Sequence, residues 1–387
     1  MNEQLSRRSI VASCCAATIT LAFFTAAPAL CLTRIAAELG MDTVQKGFFL
    51  SAAFWGVVGA VFAAGPLADR LGFRAVLIAS AALQSLGLLL VSLAHQQWTA
   101  LSGSVVLGAG VGAADALVTS VVCAVYPERR TRVSNLLHSF YPMGLILTIV
   151  LILVLLRWGW DWRPIYRLLA VIALPYGVAV LILPFPRQTH GGERRLTARR
   201  LVTRAAFMML FVSLFLAGVT ELGPALWLPS FVEETFHLTE TQGGLGLLLF
   251  AITMSVGRLA GTGFIHRIRP RTFFVATGIV CSVSLLLAAL PIGPLFSIVW
   301  LAVLGFGVAG LWPTILATAG DRFPAAGASM FSLLSAAGNL GGIVGPVTIG
   351  AVADRFGLHW GMALLAVAPF LMLVLMSAVL RSREEAP

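Results

Sequence analysis

The chain has 387 residues, 59% of them hydrophobic and only 11% charged, with a formal net charge of +10 and a mean hydropathy of +0.94. A soluble domain carries about 25% charged residues. The composition therefore excludes a soluble globular fold, and the length counts membrane spans instead of domains. The positive balance is almost wholly arginine, Lys46 being the one lysine, and in an apolar chain it reads as membrane topology and not as nucleic-acid binding.

The N-terminal stretch "LSRRSIVASCC" places Ser6, Arg7 and Arg8 before an apolar run that passes through Ala26-Ala27-Pro28-Ala29. That pattern suits an export signal; it also suits a first membrane helix anchored by arginine on the cytoplasmic side. The internal repeat below favours the helix. Spans are predicted near 10–37, 45–69, 73–94, 98–125, 132–157, 163–184, 205–235, 241–266, 271–290, 294–321, 325–353 and 358–380. A basic linker, 185–204, separates an N-terminal six-helix bundle, 1–184, from a C-terminal one, 205–387. With the N-terminus inside, nineteen basic residues fall on inner segments and six on outer ones, so both termini are expected in the cytoplasm. The five cysteines (Cys14, Cys15, Cys31, Cys123 and Cys281) have neither metal nor disulfide spacing and read as packing residues.

The halves repeat. One offset of 197 carries Gln45 to Gln242, Gly47 to Gly244, Arg74 to Arg271, Gly110 to Gly307, Tyr126-Pro127 to Phe323-Pro324 and Gly144 to Gly341. Two parallel six-helix halves suit a rocker that alternates access to a central site. A channel does not use such paired halves, and no catalytic constellation, nucleophile triad, phosphate loop or metal cluster is present. "GAGVGA" imitates a dinucleotide fingerprint but has no strand before it. No enzyme activity and no cofactor is expected.

Between spans two and three lies "GPLADRLGFR", Gly65 to Arg74. It resembles the loop motif of the major facilitator superfamily, with Phe73-Arg74 replacing the usual Arg-Lys. The resemblance implies an all-α polytopic fold of 12 transmembrane helices in two pseudo-symmetric six-helix bundles. It also implies that Gly65, Asp69, Arg70 and Arg74 form an inner gate, with Gly65 allowing close helix approach. In the second copy, His266 takes the place of Asp69. Within the superfamily, the fucose-permease-like sugar porters look most similar. The fifth span "NLLHSFYPMG" (Asn135 to Gly144), an acid in a glycine-rich fourth span and "ELGPALW" (Glu221 to Trp227) carry that likeness; Thr119 stands where an Asn is common. A glycine pattern usual in the fifth span of drug antiporters is missing there and appears only as "GGIVGPVTIG" in span eleven.

Only Asp115 and Glu221, among sixteen acids, lie deep in spans. A carboxylate at the bilayer centre costs about 2.5–3.5 kcal/mol on insertion scales, so each calls for a reason. Both break the repeat: Asp115 maps to Trp312 and Glu221 to Phe24, as His138 maps to Ser335 and Pro142 to Asn339. Asp115 lies ~15 Å from the cytoplasmic end of its span and shares a face with Gly112 and Thr119. Asn135, His138 and Pro142 share a face of the next span, so the two faces could meet. A carboxylate away from water favours its neutral form. Asp115 and Glu221 are therefore read as proton-coupling groups, against the alternative of structural clamps between spans. Asn135, His138, Tyr141, Thr119, Trp227, Trp312, Ser335 and Asn339 are the candidate substrate contacts. Arg258, in "SVGRLAG", is able to neutralise a carboxylate but is read as snorkelling toward the inner gate.

The expected function is proton-coupled uptake of a sugar or similar small polar solute across a bacterial inner membrane by a monomer, with sodium left open as the coupling ion. The alternative is a proton-coupled exporter of a drug or metabolite. The partners are the solute, protons and the lipid bilayer.

Overall fold

A computed structural model describes residues 3–185, 201–264, 268–323 and 326–381. Eleven helices among the described residues are long and apolar enough to cross a membrane. The difference from twelve lies in one element. Helix α3 (Thr43–Ser92) runs 50 residues and takes in the predicted second and third spans. At about 1.5 Å per residue it is more than twice as long as a ~30 Å hydrocarbon core is thick. It is broken at Gly72, whose φ of 83° and ψ of 157° are non-helical. Positive φ is costly for residues with a Cβ, so the glycine of "DRLGFR" is where the chain turns.

Other predicted spans are interrupted as well. The first divides into α1 (Glu3–Thr20) and α2 (Phe23–Leu39), and the sixth into α6 (Trp162–Ile172) and α7 (Leu174–Ile182). Between them lie α4 (Gln97–Val125), a short 3-10 turn at Pro127–Arg129, and α5 (Arg130–Arg157). After the linker come α8 (Ala205–Phe236), α9 (Glu240–Phe264) and α10 (Pro270–Ala288). The tenth span forms α11 (Pro294–Val308) and α12 (Leu311–Arg322), the eleventh α13 (Gly327–Phe356), and the last α14 (Leu358–Leu364) with α15 (Val367–Arg381). Pro324 and His266 lie outside the described residues, as does most of the linker.

The described chain forms two compact units. One comprises Met1–Met41 with Phe49–Gly191; the other comprises Gly192–Pro387 together with Asp42–Phe48, the first turn of α3. The short segment joins the second unit by an ion pair, Lys46 Nζ to Glu234 Oε1 at 2.7 Å, and by packing of Gly47 on the Pro346 carbonyl.

Helices in lipid gain little from apolar burial against one another, so close approach of small residues drives their packing. In the first unit α3 and α4 touch backbone to backbone. A Cβ on Gly108 would sit 1.8 Å from the Ala53 carbonyl oxygen, and one on Gly110 2.6 Å from the Ser80 carbonyl oxygen and the Gln84 nitrogen. In the second unit a Cβ on Gly305 would sit 2.6 Å from the Phe250 carbonyl oxygen, and one on Gly307 2.8 Å from Cys281 Sγ. Shifting Ala53–Gly108 and Gln84–Gly110 by 197 positions yields Phe250–Gly305 and Cys281–Gly307. The second unit has a further seam between α8 and α13, where a Cβ on Gly218 would lie 2.0 Å from the Gly338 carbonyl oxygen.

Polar side chains lock the first unit at two places. Tyr176 of α7 receives a hydrogen bond from Gln84 Nε2 at 2.9 Å and stands 3.0 Å from Ser80 Oγ. Arg163, at the start of α6, donates to Glu38 Oε1 of α2 through Nε and Nη2. It also donates to the carbonyls of Ser92, the last residue of α3, and of Ala94 just beyond it, at 2.8 and 2.7 Å.

A candidate transport site

In the first unit the glycines of α4 press one edge of the helix against α3: a Cβ on Gly112 would lie 2.6 Å from the Val57 carbonyl oxygen. Asp115, three residues on, is off that seam and exposed. It lies within electrostatic reach of His138 on α5. His138 is itself exposed, and its Nε2 stands 3.2 Å from Thr119 Oγ1. Two elements thus bring together one acid, one imidazole and one hydroxyl, at the faces predicted to meet. Tyr141 is half-buried in α5. Asn135 is in the same helix, but its side chain lies outside the described residues.

Glu221 has different surroundings. It sits mid-way along α8, only 7% exposed, and its Oε1 is 3.3 Å from Arg258 Nη2 of α9. The expectation for Arg258 needs correction: its guanidinium turns to a buried acid. Spacing could not reveal this, because two residues 37 positions apart on separate helices meet only through the packing of α8 on α9. The pair is half-made. Glu221 Oε2 and Arg258 Nε are buried without a hydrogen-bond partner among the described residues, and so is Trp312 Nε1. The Trp312 ring lies against Gly338, where a Cβ would be 2.2 Å from its Cη2. Gly338 in turn packs on Gly218, one turn before Glu221.

Three other sequence candidates are placed differently from expectation. Trp227 is fully buried and gives its indole N–H to the Pro346 carbonyl at 3.0 Å, so it ties α8 to α13 instead of offering a face to a solute. Asn339 is half-buried, and its Nδ2 donates to the carbonyl of Ser335, one turn back on the same helix, at 2.9 Å. At the "GPLADRLGFR" motif, Gly65 has open space where a Cβ would go, so no close helix approach occurs there among the described residues. Asp69 and Arg70 are exposed, and Arg74 Nη2 donates to the Leu181 carbonyl of α7. Gly72, which the motif reading passed over, makes the turn; its signal was a glycine between two apolar periodic runs.

A family model, the Major Facilitator Superfamily, matches residues 12–327 and again 210–387. The chain belongs to the major facilitator superfamily. It is 25% identical over 350 residues to the membrane protein MosC of Rhizobium meliloti, covering 88% of this chain and 84% of that one. Two solved structures share its fold. The nucleoside transporter NupG superposes with a TM-score of 0.81 at 14% identity, over 98% of this chain and all of the other. The fucose:proton symporter FucP of E. coli superposes with a TM-score of 0.67 at 18% identity, over 97% of this chain and 98% of the other. The facilitator is thus a multi-pass membrane transporter of small molecules and not an enzyme.

Proposed function

We propose that this facilitator is a secondary active transporter that couples proton movement to uptake of a sugar or similar small polar solute across a bacterial inner membrane. Counting α3 as two crossings makes twelve, six in residues 1–184 and six in 205–387, with both termini cytoplasmic. The recurrence of two packing pairs at one sequence offset supports a repeat of this kind. The observation that carries the reading is the grouping of Asp115, His138 and Thr119 on facing helices. An acid on a span can carry the proton, and a hydroxyl at the edge of a neighbouring imidazole holds the ring's orientation. Within the first unit, Tyr141 is a further candidate contact for a small polar solute; within the second, Ser335 and Trp312 are candidates of their own. Asp69, Arg70 and Arg74 serve the inner gate, with Gly72 as its turn. A fucose:proton symporter of the same fold supports both halves of the reading, the proton and the sugar.

The test uses Asp115→Asn in proteoliposomes. Asparagine keeps the size and the hydrogen bonding of the side chain but cannot titrate. Counterflow, which needs no net proton movement, should persist while accumulation driven by an imposed pH gradient is lost. If the variant still accumulates solute at the wild-type rate, Asp115 is not the coupling group. Running the gradient in the opposite sense distinguishes uptake from export.

A further inference from the structure

The second unit holds an unfinished polar set. Glu221 and Arg258 touch through a single contact of 3.3 Å, whereas arginine and carboxylate ordinarily meet at about 2.7–2.9 Å and often through two parallel bonds. The remaining halves, Glu221 Oε2 and Arg258 Nε, are both buried and unpartnered among the described residues. Buried polar atoms in folded proteins are nearly always bonded. Two that are not, an acceptor and a donor within one ion pair, mark a place for a ligand.

The chemistry of the atoms selects the ligand. Arginine Nε is a donor only and belongs to a cation, so it calls for an acceptor, best an anionic one. A carboxylate offers two acceptor oxygens and the opposite charge. It would, however, compete with Glu221 for Arg258, and a buried site with one cation and two anions is strongly disfavoured. Protonation of Glu221 removes the conflict and frees the guanidinium. The charged or titratable groups found against Glu221 are Arg258 of α9 and, within electrostatic reach, Cys281 of α10. We infer that Glu221 guards Arg258 against anions until it takes a proton, and that the solute admitted carries a carboxylate. One proton and one anion then enter together, and the charge of the site is unchanged. This deepens the proton-symport reading and rests on it.

The test is direct binding to the purified protein of matched pairs: glucuronate against glucose, and benzoate against benzyl alcohol. For wild type, a carboxylate should bind about tenfold or more tightly at pH 5.5 than at pH 8, with its uncharged counterpart much weaker. Glu221→Gln, which mimics the protonated acid, should bind the same carboxylate about equally at both pH values. Arg258→Gln should lose it at both. Weakly buffered wild-type protein should take up about one proton per anion bound, a readout that needs no variant. The proposal is overturned if no carboxylate of the panel binds, if the neutral partners bind as well, or if binding takes up no proton. Proteoliposome transport separates this from the broader reading. Proton-driven accumulation of glucose that is indifferent to Arg258→Gln sinks the carboxylate site alone. Proton-linked carboxylate binding without gradient-driven uptake sinks symport and leaves the site standing.

Discussion

The two units pack by one scheme and place their acids in opposite circumstances. In both, a glycine of the later helix meets a backbone carbonyl of the earlier one, and the pairs Ala53–Gly108 and Phe250–Gly305 are 197 positions apart. Upon that shared scaffold the first unit presents Asp115 exposed, with an imidazole near it, and the second holds Glu221 at 7% exposure against a guanidinium. At these seams what repeats is a glycine pressed against the earlier helix, and the two intramembrane acids do not repeat. Packing tolerates no variation at a contact of 1.8 Å, whereas a helix face off the seam accepts any side chain that finds a partner. Duplicated scaffolds can therefore keep their seams and diverge in their chemistry.

The contrast between the acids is broken most forcefully at Arg258. Removing one partner of a buried pair costs about 3–5 kcal/mol, because the other charge stays buried. Arg258→Ala should thus lower thermal stability in detergent strongly, and adding Glu221→Gln should restore most of the loss. If the double variant is no better than the single one, the pair contributes through packing alone. Asp115→Asn, by comparison, should change stability by less than about 1 kcal/mol, since the side chain is exposed.

The shared seam can be sharpened next. Gly108→Ala and Gly305→Ala both force a methyl group against backbone, at a cost of about 1–3 kcal/mol for overpacking. The first should be the more harmful, because its Cβ would lie 1.8 Å from a carbonyl oxygen against 2.6 Å for the second. Equal melting temperatures for the two would mean that the seams relax alike.

A smaller effect distinguishes the ion pairs at the helix ends. Arg163 serves Glu38 and two carbonyls and stacks 4.4 Å from the centre of the Trp162 ring. Lys46 makes one contact with a partly exposed Glu234. Arg163→Lys cannot reproduce the fork and should cost about 1–2 kcal/mol. Lys46→Met should cost no more than about 1 kcal/mol, the scale of a partly exposed pair. Chemical denaturation of the two variants side by side measures the difference.

Local composition and periodicity sufficed for a nearly all-helical chain of many apolar spans and for the two acids within them. Each depends on near neighbours in the chain, and lipid enforces the hydropathy of a span whatever it packs against. The meeting of the Asp115 face with the His138 face was also within reach, because α4 and α5 are joined by a short turn and adjacent helices pack together. What lay beyond reach were contacts between helices distant in sequence. Arg258 could have served a gate or an acid; the packing of α9 on α8 chose Glu221. Trp227 had the character of a solute contact, and the Pro346 carbonyl of α13 took its N–H. Gly65 had the look of a seam glycine, yet it faces open space, while Gly72 carries the turn. Residue type sets what a side chain is able to bond, and only the tertiary packing decides which of its possible partners comes within 3 Å.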